Sequence, residues 1–521
     1  MIWCSLQMID VGEAIADWRA ALGESAVSTD TETLDGYQLN TSEFLPRELL
    51  AVLRPSSLRE VQQILTVARS SRIPLYPIST GRNWGFGSAL PVCGPAALVD
   101  LGRMNRILKV DPNFGYAVFE PGVTQGKMAD HLVALGGSLK LNVTGAGRDT
   151  SIVGNVLDHG VGNLGPRIND LLGLEVVLGN GEVVRTGLWH LGACSDAPHH
   201  YPPGLGPDLR GLFVQSSFGI ITRMALRLHP VTPFLELTLE IPEPKLPTFV
   251  DELRRARDDG IVNEYARITD AADSNIRFFS PTAPATWKSQ VILRGTRGMR
   301  AEARRELERR FDGVVSRIDA FDTECDRADM CSGDDRSFLE ARLDLKNGIP
   351  SNRSLERIAG MVGKPLEDAN AGLDRDRDLP GFLCVNVSLP FAGEYVAACS
   401  AAVQAAADEA GIKTSRFFGV VEPMALSGFF PFYFDRRSFS DIARAHAFKD
   451  ELCRRLEAVG AYPMRIDIDS MGAFITRTDD GFWRSVSAIK KALDPQGVIS
   501  PGHYCAAPQR VPGLCPDGRP L

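Results

Sequence analysis

The chain has 521 residues, 44% hydrophobic and 23% charged, with a formal net charge of -8. That length calls for two or three domains, and the composition excludes disordered and fibrous chains. The acidic balance argues against a nucleic-acid binder, although a few local arginines and backbone amides suffice for an anionic cofactor.

The N-terminus has no basic region and no sustained apolar core, and no apolar run approaches the roughly 20 residues of a membrane helix. A cytoplasmic protein is expected. The ten cysteines include no paired CxxC, so they are expected as reduced thiols and no metal site is expected.

Residues 1 to about 45 suggest a helical lead-in and a polar linker. A strand from Ala51 stops at Arg54-Pro55, and a helix follows to Ala68 with Ser57 and Glu60 at capping-box spacing. The next strand, Ile73–Ile78, completes a β-α-β pattern in which the two strands are expected as parallel neighbours. It runs into Ser79-Thr80-Gly81-Arg82-Asn83-Trp84-Gly85-Phe86-Gly87. This loop is either an amide cradle for an anion or an ordinary glycine-rich turn.

Strands at 96–101 and 116–123 and a helix from Gln125 to Leu135 come next. A second glycine-dense region holds Gly147, Gly154, Gly160 and Gly162. A hairpin is expected around Gly179-Asn180-Gly181, then a strand to His229. After Pro230 the glycine loops disappear, and strands alternate with amphipathic helices in a second α+β domain. The charge run Asp374–Asp378 is expected as a solvated loop. A last helix, 481–493, precedes Asp494-Pro495-Gln496-Gly497-Val498-Ile499-Ser500-Pro501-Gly502.

The ordered motifs RPSS, PLYPISTGRNWGFGSALP, ALVDLGRMNRI, AVFEPGV, GNVLDHGVGN, LEVVLGNGEVVRTG and FGIITRMALRLHP, closed by ALDPQGVISPGHY, resemble the vanillyl-alcohol oxidase and p-cresol methylhydroxylase family. The resemblance spans roughly 45–235 and 395–505. It implies an α+β fold: a two-subdomain FAD-binding domain over 1–235 (core about 45–230), an α+β cap domain over 236–460 that binds substrate, and a C-terminal segment, 461–521, returning to the FAD domain. It implies an FAD-dependent oxidase or dehydrogenase that passes a hydride from a small organic substrate to flavin, with molecular oxygen or another acceptor taking the electrons. A flavin-dependent cyclase or isomerase is the alternative, and a homodimer is a mild expectation.

Carried onto this chain, Ile78, Ser79, Thr80, Gly81, Arg82 and Asn83 would cradle the pyrophosphate. Gly147, Thr150, Ser151, Gly154, Asn155, Gly160, Gly162 and Asn163 would meet the flavin and ribityl chain, with Ile220, Ile221 and Tyr504 beside the cofactor. Members of the family attach FAD through a cap histidine or tyrosine. Here the corresponding stretch, 412–434, has no histidine and places Leu426, Ser427, Gly428 and Thr414 at those positions, so non-covalent FAD is expected, with a bond from His159 the exception. The family's two phenolate-binding tyrosines are replaced by Phe86 and Met464, and its carboxylate below the reactive flavin nitrogen falls near Pro166, with Asp170 a distant substitute. Losing two hydrogen bonds to a charged group removes roughly 3–6 kcal/mol, so a simple 4-alkylphenol is not the expected substrate. Trp84, Phe86, Phe434 and Met464 are expected to line an apolar substrate pocket. Arg465 is expected either to anchor substrate or to pair with Asp467 or Asp469, and Tyr462, Tyr433 and His159 are candidate acid–base groups.

Overall fold

The computed structural model describes residues 11–194, 198–272, 285–325, 340, 342–353, 355 and 375–506. Residues 1–10 of the expected lead-in and Asp374 of the charge run lie outside them. From Val11 the lead-in forms helices Val11–Leu22 and Thr31–Gln38.

The helix Leu58–Ser71 starts where its capping signal places it. Ser57 accepts from the Glu60 amide at 3.3 Å, and the Glu60 carboxylate reaches back to the Ser56 amide at 2.7 Å. Val61, Ile64, Leu65 and Ala68 fall on one buried face, the i, i+3, i+4, i+7 stripe of an amphipathic helix. The flanking strands, Leu49–Leu53 and Leu75–Ile78, are parallel but are not neighbours: Ala96–Asp100 lies between them and pairs with both. This corrects the expected adjacency. The run AALVD is apolar on both faces, as a central parallel strand must be, and so it takes the middle position.

The second sheet is five-stranded and antiparallel, ordered 183–185, 171–178, 219–227, 116–119, 107–111. Its hairpin closes at Gly181, with Val177 opposite Val183. The third sheet has eight antiparallel strands, ordered 317–322, 234–242, 286–294, 267–269, 417–422, 425–434, 381–390, 462–465. Helices Leu246–Asp258, Gly393–Ala410 and Phe439–Ala458 pack against it around buried Phe249, Phe418, Phe430 and Phe432. Edge strand Tyr462–Arg465 pairs with Asn386–Ser388, which carries Arg465 from the large sheet to the glycine loops. Among the described residues, no helix is long and apolar enough to cross a membrane.

The C-terminal segment returns to the first sheet. The Leu75 amide donates to Val498 O and the Ser500 amide to Leu75 O, both at 2.7 Å. Asp494 fastens this return. Its buried carboxylate accepts from the Ile499 amide at 2.8 Å and pairs with Lys490 Nζ at 2.7 Å. Asp494→Ala leaves a buried ammonium without its counter-charge, at a cost of about 3 kcal/mol. Urea unfolding should show the midpoint fall with the slope unchanged; an unaltered midpoint would show that the C-terminal return does not depend on this pair.

Candidate functional site

The two glycine regions meet at a cavity of about 350 Å³. Ser79 Oγ donates to Ser151 Oγ at 2.6 Å, which ties the first loop to the second. Ser151 caps the turn Ile152–Leu157 by accepting from the Gly154 amide at 3.0 Å. Gly81 has φ +66, and a Cβ there would stand 3.1 Å from Ala89 Cβ. The loop can therefore turn tightly only with glycine at that position.

That turn leaves a row of donors. The amides of Thr80, Gly81, Arg82 and Asn83 have no acceptor among the described residues, and these residues line the cavity. Backbone donors left unpaired in a folded chain need water or a ligand, and a run of them converging on one cavity suits a pyrophosphate, because backbone donors cannot ionise or swing away. Across the cavity, the fully buried Arg167 donates from Nη1 to Asn155 Oδ1 at 3.0 Å. This holds the Asn155 carboxamide at the wall with its NH2 left as a donor. The residues present thus fit a dinucleotide: they offer amides for phosphates and polar side chains further along.

The far end of the cavity is an aromatic box. Trp84, Phe86, Phe382, Ala146 and Phe429 line it, and Cys384, Leu355 and Tyr433 pack behind them. The loop reaches the large sheet because Gly85, at φ +83, has no side chain: a Cβ would stand 2.8 Å from Cys384 Sγ. Phe382 and Tyr433 are register partners on adjacent strands, with ring centroids 5.4 Å apart.

Arg465 and Arg375 stack on the rings of the box, on Phe86 and Trp84 respectively. Arg465 stacks 4.1 Å from the Phe86 ring centroid, donates from Nε to Asp158 Oδ2 at 2.9 Å, and from Nη2 to Asn83 Oδ1 at 2.6 Å. Neither Asp467 nor Asp469 is its partner: they pair with Lys449 and Arg47. Burial works against the Arg465 charge, but Asp158 outweighs it and the pKa stands above the usual arginine value. Asp158 Oδ1 is 3.3 Å from both Gln215 Nε2 and the Tyr504 hydroxyl. Burial, and after it Asp158, raise the Tyr504 pKa well above the usual phenol range, so this hydroxyl stays protonated. The backbone around the network is strained: His159, Gln215 and Tyr504 all take positive φ, at 51°, 43° and 47°. Non-glycine residues in that region cost about 1–3 kcal/mol each and gather at functional sites.

Among residues singled out from sequence, Ile78–Asn83, Trp84, Phe86, Thr150, Ser151, Gly154, Asn155 and Arg465 line the cavity. Others lie elsewhere. Ile220 faces the core of the first sheet while Ile221 faces the cavity, as strand alternation requires. Gly147 packs on Leu355, and a Cβ there would stand 2.8 Å from its Cδ1. Gly160 and Gly162 accommodate Asn155 and Asn142, whose Oδ1 atoms would each stand 2.1 Å from an added Cβ. Asn163 is buried, donates to Val143 O at 3.0 Å and accepts from Arg267. Asp170 is buried between His229 at 2.7 Å and Asn142 at 3.0 Å. His159 is outside the lining, its pKa lowered by burial. Tyr504 reaches the site through Asp158, and Met464 through its carbonyl, which accepts from Gln215 Nε2 at 2.9 Å. Phe434 belongs to the core of the large sheet, and Tyr462 is 61% exposed.

Sequence reasoning missed Asp158, Gln215, Arg375, Phe382 and His503, all in the wall. For Asp158 a signal existed: it sits inside the GNVLDHGVGN motif, next to the histidine that drew attention.

Comparison with known proteins places this geometry. Residues 49–187 match the family described as FAD binding domain. The chain is 29% identical, over 94% of its length and 96% of the relative's, to 1'-carboxy-chondrochloren decarboxylase of Chondromyces crocatus. It is 34% identical to the flavoprotein subunit of 4-cresol dehydrogenase [hydroxylating] of Pseudomonas putida, over 48% of this chain and 49% of that one. Among solved structures, the 4-ethylphenol oxidase of Gulosibacter chungangensis superposes with a TM-score of 0.83 at 25% identity, covering 96% of this chain and 98% of the oxidase. The amide cradle, the sheet arrangement and these likenesses agree: the chain carries an FAD binding domain and is similar to the FAD-linked oxidoreductases of the vanillyl-alcohol oxidase and p-cresol methylhydroxylase family.

Proposed function

We propose that this enzyme oxidises a small, planar organic substrate held in the aromatic box, by hydride transfer to non-covalently bound FAD. The carrying observation is the continuity of one cavity, from the unpaired amides of Thr80–Asn83 to the rings of Trp84, Phe86, Phe382 and Phe429. When bound, FAD supplies the two-electron acceptor. The chain's own groups do the rest. The rings orient a flat substrate and exclude water. Arg465 positions Asp158, and the Asp158 carboxylate can accept a proton from a substrate O–H or N–H as the adjacent C–H is oxidised.

Phe86 offers no hydroxyl to a phenolate, and Arg465 is matched by Asp158. A phenolate beside Phe86 and Arg465 would therefore meet no hydroxyl from position 86 and an arginine already paired with a carboxylate. With roughly 3–6 kcal/mol missing, 4-ethylphenol should bleach the flavin at least about 100-fold more slowly than the preferred substrate. Anaerobic stopped-flow with a panel of aromatic alcohols, amines and acids checks both points. A panel that leaves the flavin fully oxidised would sink the oxidase assignment, and fast bleaching by 4-ethylphenol would sink the argument against phenols.

The decarboxylase relative supports a second reading, in which the oxidised substrate also loses CO2. The hydride leaves one carbon, the bond from its neighbour to the carboxylate breaks, and that electron pair becomes the new double bond. CO2 release in step with flavin bleaching separates this from simple dehydrogenation.

Support for non-covalent FAD comes from strand Ala425–Phe434, which runs past the box and carries no histidine. Acid precipitation of the yellow holoprotein should leave the colour in the supernatant; colour in the pellet contradicts it. Gly81→Val would force a β-branched residue to φ +66. It should weaken FAD uptake by about 10-fold or more, read by flavin fluorescence quenching in the apoprotein, with the far-UV spectrum unchanged.

A further inference from the structure

The charge run at 375–378 is not a solvated loop. Arg375 and Asp376 are each 9% exposed and begin a short helix before strand Gly381–Pro390. The Arg375 guanidinium lies 4.1 Å from the Trp84 ring centroid and 5.6 Å from that of Phe382, and all three side chains line the cavity. The position is built rather than incidental. Asp376 accepts from the Thr41 amide at 2.9 Å, from Ser88 Oγ at 2.6 Å and from Trp84 Nε1 at 3.1 Å. The turn bearing Arg375 is thereby fixed to the loop bearing Trp84.

Three arginines line the wall: Arg82 belongs to the amide loop and lies 3.6 Å from Asp149, and the other two differ in what stands beside them. A substrate anion at Arg465 would face the Asp158 carboxylate, whose Oδ2 already takes two of that guanidinium's donors. Beside Arg375, the Asp376 oxygens are occupied by an amide, a hydroxyl and an indole N–H. A guanidinium has five donors in a planar fork, so Arg375 can hold a protein acceptor and a carboxylate together. Its stacking on Trp84 fixes the plane of that fork at the edge of the aromatic box.

Given the proposed oxidase reading of this cavity, on which the inference rests, we infer that the substrate is a planar aromatic carboxylate. Its ring lies among Phe86, Phe382 and Phe429, and its carboxylate is held by Arg375 rather than by Arg465. Arg375 is then the residue that selects the substrate's charge.

Trans-cinnamate and its neutral isostere cinnamamide test this by calorimetric titration of the FAD-loaded protein, with the flavin spectrum recorded alongside. Cinnamate should bind at least 10-fold more tightly than cinnamamide. Arg375→Met keeps an apolar stem against Trp84 and should bring the two affinities within 2-fold. Arg375→Lys keeps the charge without the fork and should retain part of the preference. Equal affinities in the unsubstituted protein, or a cinnamate preference that survives Arg375→Met, overturns the inference. Should Arg375→Met fail to take up FAD, Arg375→Lys decides: an unchanged preference at equal FAD content overturns it, and a loss of 3-fold or more supports it. Protein that takes up no FAD at all sinks the parent reading instead, so the two failures are distinguishable.

Discussion

Backbone N–H groups cannot be left unpaired inside a fold without cost, and the loop Thr80–Asn83 turns that constraint into a row of donors at the cavity wall. Its amides have no acceptor among the described residues because Gly81 turns the chain out of the ladder that ends at Ile78. Everything near the loop keeps it in that state. Ser79 is tied to Ser151, the Asn83 carbonyl accepts the Phe86 and Ser88 amides, and the Asn83 side chain is held by Arg465. The loop is preorganised from three directions, so a ligand taken up by its amides need not order it on binding.

The same loop joins the flavin-binding sheets to the large sheet. Gly85 lets Phe382 and Cys384 approach the backbone, the Phe382 amide donates to Thr41 O at 2.7 Å, and edge strand Tyr462–Arg465 brings Arg465 to Asp158. Three of the eight non-glycine residues at positive φ among the described residues, His159, Gln215 and Tyr504, come from separate segments yet border one carboxylate. Three such residues around Asp158 mark a position that the surrounding structure holds against backbone strain.

How much of this was legible follows from the range of the interactions. Local signals carried through: the Ser57–Glu60 cap, the Gly179-Asn180-Gly181 turn and the glycine loop are each set by residues within a few positions. Strand adjacency was not local. Whether 49–53 and 75–78 touch depends on where a later strand inserts, and Ala96–Asp100 went between them. Side-chain partners were least legible. Arg465 has carboxylates two and four residues away, yet it pairs with Asp158, 307 positions distant. Asp376 looks solvated in a run of charges until Thr41, Trp84 and Ser88 close around it. Glycine motifs mixed two roles that sequence cannot separate: Gly81 shapes the loop toward the cavity, whereas Gly160 and Gly162 make room for asparagine side chains.

The departures from the phenol-oxidising pattern are coupled. Phe86 and Met464 remove hydroxyl donors, and a lone Arg465 in that setting would be a buried cation facing an aromatic wall. Asp158 supplies its counter-charge and Asn83 a further acceptor, so the guanidinium serves as a strut between the flavin loop and the large sheet. A buried pair of this kind contributes position more than net stability, since the desolvation of both charges offsets their attraction. Removing one member would leave the other uncompensated and release the loop at the same time. A tyrosine placed at position 86 alone would therefore not make a phenolate site, because Arg465 beside it is already bound to a carboxylate of its own chain.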